Sequence, residues 1–308
     1  MDNAIDKKRI GIFLGFAFGI AWGIAVIIAL TGGLVNSPEL IPATGITLAL
    51  VLVALGYMWA PAISHILTRW LTREGWAKSG LQLRIKEALP FYVTAWLAPA
   101  VLTILGTILY FILFPGNFDA EFSTINTLLA ATEGVEDVEP WTVFIIQVAA
   151  SVLSAPLVNS IFTFGEEFGW RGYLQQKLMP LGVRRAMIAM GIIWGVWHWP
   201  MIAMGHNYGL DYPGAPWAGM LMMVWFTFTS GVFLSFVTLR SGSVWPAVIG
   251  HAAINGIANI GALFVKGIPN PLWGPLPVGF VGCAAWGGFA IWLMVRTDVL
   301  TGTDKAAT

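Results

Sequence analysis

Long apolar stretches organise this chain, in place of the striped or alternating patterns that a water-facing helix or a half-buried strand would leave. About 20 helical residues at ~1.5 Å rise cross ~30 Å of hydrocarbon. Eight segments meet that length: 10–34, 44–67, 90–114, 142–170, 186–204, 217–239, 244–265 and 273–295. Gly, Pro and charged residues separate them where a barrel would need tight hairpin turns. The predicted class is therefore all-α, a polytopic transmembrane helical bundle of about eight spans. Pro156 interrupts the fourth segment and predicts either a kinked helix or a short surface helix feeding a span. Gly11, Gly15, Gly19 and Gly23 share one face of the first segment. That stripe predicts close packing inside the bundle, with a dimer face as the alternative. Gly191 and Gly195 predict a close neighbour beside His198.

Composition supports this reading, because 57% hydrophobic and 10% charged residues with a mean hydropathy of +0.76 exclude a soluble globular protein. Cys283 is the single cysteine, so neither an intrachain disulfide nor a Cys-based metal cluster is available. Met1 to Arg9 has the basic flank of a signal peptide. The apolar run continues to about Val35 without a small-residue cleavage site, and a retained first span is expected. No tandem repeat or separate soluble domain is visible, so 1–308 is expected to form a single membrane-embedded domain.

The positive-inside rule gives the eight-span reading an independent test. With the N-terminus cytoplasmic, the inner side collects Lys7, Lys8, Arg9, Arg69, Arg73, Lys78, Arg84, Lys86, Arg171, Lys177, Arg184, Arg185, Arg240, Arg296 and Lys305. Of the 16 Lys and Arg residues, Lys266 alone falls outside. The outer loops are acidic, with Glu39, Asp119, Glu121, Glu133, Glu136, Asp137, Glu139 and Asp211. Both termini are therefore expected in the cytoplasm, and the plasma (inner) membrane is the expected location. Residues 68–88 mix Trp70, Trp76, Leu81 and Leu83 with basic residues, as a cytoplasmic amphipathic loop on the inner leaflet would, or simply a connecting loop. The polar stretch 116–140 is read as a mobile outer loop.

Against this background, three clusters of polar residues stand inside apolar segments: Glu166-Glu167-x-x-x-Arg171, Trp194-x-x-x-His198 and His251-x-x-x-Asn255. Polar groups at such depth are expensive and mark function. Glu167 and Arg171 lie one above the other on a helix and predict a structural ion pair. Glu166 is rotated ~100° away. A carboxylate held by an arginine is a poor proton acceptor, so Glu166 is the candidate general base. Ser243 is placed to cap the seventh segment and Pro246 sits in its first turn. A lone histidine at 198 or a lone His-x-x-x-Asn would more often serve packing. Their joint occurrence on separate spans points to a water-activating hydrolytic site, which water is expected to reach from the cytoplasmic side.

Gly165-Glu-Glu-Phe-Gly-Trp-Arg-Gly-Tyr-Leu174, Trp194-x-x-x-His198 and Ser243-Val-Trp-Pro-Ala-Val-Ile-Gly-His-Ala-Ala-Ile-Asn255 resemble the three signature motifs of the CPBP intramembrane proteases. These are similar to type II CAAX prenyl endopeptidases and to bacteriocin-immunity membrane proteins. The resemblance covers a catalytic motif region at 165–255. It implies an intramembrane (metallo)endopeptidase in which Glu166 and His198 activate water while His251 and Asn255 stabilise the oxyanion. Where the family commonly has Phe, this chain has Trp194, expected to reshape a pocket wall and keep the chemistry. A neutral histidine N–H beside an amide N–H suits the oxyanion role. The cofactor is open between Zn²⁺ or another divalent metal, held by Glu166, His198 and His251, and a metal-free glutamate mechanism. Implied partners are a peptide or membrane-protein substrate, lipidated or not, and the bilayer, with no nucleic acid. A catalytically silent immunity or scaffolding protein is the main alternative, and a proton-coupled transporter is a weaker one, since no inverted repeat is seen.

Overall fold

Apolar length translates into helices throughout the computed structural model, which describes residues 5–42, 44–77, 79–132, 134 and 137–302. Lys78, Glu133, Glu136 and Lys305 lie outside the described residues. Among those described, six helices are long and apolar enough to cross a membrane. They are α1 (Lys7–Leu30), α2 (Leu48–Leu71), α3 (Ile85–Leu113), α5 (Pro140–Leu181), α8 (Trp217–Ser241) and the helical run Trp245–Phe264, whose α-helical part is α9 (Trp245–Ile257). Shorter helices are α4 (Ser123–Ala130), α6 (Val183–Trp197), α7 (Trp199–Ala203), α10 (Ala284–Val295) and α11 (Thr297–Thr301). A two-stranded antiparallel hairpin, β1 (Glu39–Ile41) and β2 (Ile46–Thr47), lies between α1 and α2. The chain is an integral, multi-pass helical membrane protein.

Two of the eight predicted segments are not continuous long helices. Segment 186–204 breaks at His198 into α6 and α7, with Pro200 in the first turn of α7. Segment 273–295 is turns as far as Cys283 and helical only from Ala284. Hydropathy counts apolar residues whether or not Gly and Pro let them stay helical, which is why both were read as spans.

Pro156 does not end its helix, which runs on from Pro140 to Leu181. A π-turn at Ala150–Ser154 precedes it. A proline cannot bond to the carbonyl four residues back, and that carbonyl, on Val152, instead accepts a hydrogen bond from Trp96 Nε1–H of α3 at 2.6 Å. The same helix runs on past Gly169 through a second π-turn, Trp170–Leu174, to Leu181. Glu166 therefore sits well inside α5, deeper than a helix ending at 170 would place it.

Small residues set the close approaches, although not where the first helix predicted. A Cβ on Gly11, Gly15, Gly19 or Gly23 would meet nothing within 4 Å. The glycine stripe faces outward, and α1 packs instead through Phe13, Ala17, Ala21, Ala25 and Ile28. Gly191 and Gly195 behave as expected: a Cβ on either would lie 2.6 Å from a backbone atom of Phe228 or Val224, so α6 and α8 touch backbone to backbone beside His198.

Between α2 and α3 the chain is anchored by Glu74, although Trp70, Trp76, Leu81 and Leu83 stay exposed. Its carboxylate accepts from Lys177 Nζ at 2.5 Å and from the Tyr173 hydroxyl at 3.1 Å, and it meets Arg9 Nε at 3.2 Å and Arg69 Nη1 at 3.6 Å. Burial alone would raise its pKa, but the Lys177 ammonium, Arg69 and Tyr173 outweigh burial and hold it below the usual carboxylate range. A depressed folded-state pKa contributes stability that is complete above the ordinary Glu range and is lost as pH falls through the depressed value. Glu74→Gln is expected to cost about 1–3 kcal/mol at neutral pH and to flatten the acid side of a Tm-against-pH curve. An unchanged curve would remove Glu74 from this role.

Candidate active site

Three neighbouring helices bring the motif residues together. α5 is tied to α9 by the Thr163 hydroxyl, which donates to the Val248 carbonyl at 2.9 Å, and by the Asn159 amide, which donates to the Ala252 carbonyl at 3.3 Å. At the start of α9 Pro246 occupies the first turn as expected, but the cap position is Val244 and not Ser243, whose hydroxyl accepts from Trp245 N–H at 3.3 Å just before the helix. α6 reaches the same point through its glycine contact with α8.

Glu167 lies at the buried end of the site. Its Oε1 accepts from Arg171 Nη1 at 2.9 Å, the predicted ion pair along one helix, and both side chains are fully buried. Gly231 of α8 makes room for the guanidinium: a Cβ there would stand 3.2 Å from Arg171 Nη2. The same Oε1 is also 2.9 Å from His251 Nδ1. A carboxylate oxygen only accepts, so Nδ1 carries the proton. Glu167 thus does more than brace its own helix, since it fixes the ring of His251 on another.

Trp194 organises the remainder. Its Nε1–H donates to Glu166 Oε2 at 2.8 Å, and its backbone carbonyl accepts from His198 Nδ1 at 2.8 Å. That carbonyl assigns the Nδ1–H tautomer to His198 and leaves the Nε2 lone pair free. The indole also lies 4.5 Å from the Arg171 guanidinium and 5.2 Å from the His251 ring. Sequence reasoning treated Trp194 as a wall, yet among aromatic side chains that could fill this place it differs from Phe in having an N–H to give. Trp194→Phe is expected to lower kcat about 10- to 100-fold by releasing Glu166, at a buried hydrogen bond to a charged group worth roughly 1.5–3 kcal/mol. Wild-type kcat in that variant would return Trp194 to the role of wall.

Glu166, Trp194, His251, Tyr57, Met223 and Phe226, all buried, line a cavity of about 640 Å³, with His198 beside them. The Tyr57 hydroxyl, absent from the sequence-based set, donates to the Trp197 carbonyl next to His198. Asn255, one turn beyond His251, lines the same space and is exposed within it. The rim comes from Gly45, Asn207 and Asn259, all exposed. Among the described residues, none of 72–84, 171–182 or 242–244 lines the cavity.

A metal fits this arrangement poorly. Among the described residues no group of three His, Cys, Asp or Glu side chains is placed to hold an ion.

Residues 140–257 match the family model described as type II CAAX prenyl endopeptidase Rce1-like. A stretch of 93 residues is 30% identical to the CAAX prenyl protease 2 of Methanococcus maripaludis and covers 29% of this chain. The match spans 34% of that relative, about a third of its length. The matched region holds Glu166, Glu167, Arg171, Trp194, His198, His251 and Asn255.

Proposed function

We propose that this protein is an intramembrane endopeptidase that hydrolyses a peptide bond with water activated by Glu166 and His198. The observation that carries the reading is the joint anchoring of those two side chains by Trp194 at the cavity. The family match at 140–257 supports the same reaction class. Both termini are assigned to the cytoplasm and the protein to the plasma (inner) membrane, on the strength of the charge asymmetry.

The chain's own residues supply each step. His198 Nε2 accepts a hydrogen bond from the water and orients it. The water oxygen attacks the scissile carbonyl carbon as its proton passes to Glu166. The carbonyl oxygen becomes an oxyanion beside His251 Nε2 and the Asn255 amide. His251 is held at Nδ1 by Glu167 and turns its other edge to the oxyanion. Glu166 then returns its proton to the amide nitrogen as the C–N bond breaks, leaving a new carboxylic acid and a new amine, and the acid gives up its remaining proton on release.

Asn255 acts through the oxyanion, which exists only past the ground state. Asn255→Ala is expected to lower kcat about 10²-fold and leave KM nearly unchanged. The check is steady-state cleavage of a panel of quenched fluorescent peptides, some lipidated, by detergent-purified protein. A rise in KM with kcat intact would make Asn255 a binding residue instead.

A further inference from the structure

We infer that the lipid-facing side of the bundle at the start of α3 binds one anionic phospholipid, with an acyl chain in a groove between α3 and α9 and the phosphate at Arg84. The site shares no lining residue with the catalytic cavity and stands independently of the endopeptidase reading.

A ridge of chain, residues 80–85, divides the site into two chambers, and three hydrogen bonds fix it in place. The Gly80 carbonyl accepts from Val244 N–H at 2.9 Å, the Leu81 carbonyl from Trp245 Nε1–H at 3.0 Å, and the Leu83 carbonyl from the Tyr92 hydroxyl of α3 at 2.6 Å. On one side of the ridge lies a polar cavity of about 620 Å³, bordered by Gln82, Arg84, Gln176 and Gly242. On the other lies a groove of about 570 Å³ along which Leu83, Ile85, Leu89, Val93 and Leu97 are exposed, with Trp96 and Trp245 half-buried. Trp245 also stacks on Phe164 at 5.1 Å, two residues before Glu166 on α5, so the groove borders a brace between α5 and α9.

Length and charge together name the occupant. From Ile85 to Leu97 the groove follows α3 for twelve residues, about 18 Å at ~1.5 Å rise. One leaflet's share of ~30 Å of hydrocarbon is about 15 Å, so a single acyl chain fills the groove from end to end. The polar chamber stands at its head, where Trp76 and Trp245 suit the interfacial level. Arg84 lines that chamber and the exposed Lys86 follows close by, while among the described residues no Asp or Glu lines either chamber. Glu87 lies about 160° round α3 from Leu89, on the opposite side of the helix. Arg84 gives its Nε–H to Gln82 Oε1 at 3.1 Å, and a Cβ at Gly242 would stand 3.1 Å from its Nη1, so the glycine keeps room beside the guanidinium. A guanidinium takes a phosphate through two parallel N–H bonds. A partner's apolar helix or a second copy of this chain would fill the groove and leave Arg84 without an anion, and a free phosphate would satisfy Arg84 and leave the groove bare. A phospholipid meets both demands.

The test is native mass spectrometry of the full chain released from detergent, titrated with phosphatidylglycerol and with phosphatidylcholine of the same acyl chains, with Tm followed on the same samples. Wild type is expected to retain one phosphatidylglycerol about five-fold or more over phosphatidylcholine, and to melt higher with it. Arg84→Gln is expected to abolish that preference, and Leu89→Trp, which fills the groove, to weaken binding of both lipids. Arg185→Gln makes the same charge change on an exposed residue outside both chambers and is expected to keep the preference. Equal loss in Arg84→Gln and Arg185→Gln, or equal retention of the two lipids by wild type, would overturn the inference. Displacement of the lipid by inorganic phosphate would reduce the site to one for free phosphate. A lipid-free dimer that Leu89→Trp dissociates would give the groove to a second copy of this chain.

Discussion

Glu166→Gln is expected to reduce peptide cleavage by about 10³-fold or more while the protein folds, purifies and melts as wild type. Glutamine keeps the volume of the side chain and a carbonyl oxygen that can accept from Trp194 Nε1–H, so the contact at 2.8 Å has a replacement. It cannot take a proton from water. General-base assistance contributes roughly 10²–10⁴-fold, and here the base is also the group that reprotonates the leaving nitrogen, so both halves of the reaction fail. Activity is compared per unit of folded protein, with Tm measured on the same samples. A variant that keeps more than a tenth of wild-type kcat would show that another group takes the proton.

Arg171→Ala is expected to cost the most stability, about 3–5 kcal/mol, because it strands the Glu167 carboxylate in a buried site. Both partners are fully buried, and the pair is joined at 2.9 Å. Removing both charges is gentler than removing one. The double variant Glu167→Gln with Arg171→Gln is therefore expected to recover at least half of the lost Tm. It is not expected to recover activity, since His251 would lose the carboxylate that holds its Nδ1. Recovery of both stability and cleavage would reduce Glu167 to a purely structural brace and dismiss its link to the oxyanion site.

Spacing and depth made part of this legible in advance. Glu167 and Arg171 are four apart, so helical geometry alone joined them and set Glu166 aside. Apolar length foretold a helical membrane bundle, and Gly191 with Gly195 foretold the tight crossing beside His198. Other features turn on partners that a local pattern cannot name. The outward turn of the α1 glycines depended on which face met the rest of the bundle, and alanines took that place. Two segments read as spans broke at His198 and before Ala284, where Gly and Pro outweigh hydropathy. Glu166 looked too shallow because the π-turn at Trp170–Leu174 carries its helix on to Leu181. Trp194 hid its role in an indole N–H whose acceptor lies 28 residues away in sequence.

The central claim is that water, activated at Glu166, hydrolyses a peptide bond. The most direct measurement is mass spectrometry of a peptide incubated in H₂¹⁸O with wild type and, in parallel, with Glu166→Gln. One ¹⁸O in the newly formed carboxylate from the wild type, and almost no product from the variant, is the expected result. Equal product from both proteins, or wild-type product without the label, would contradict it.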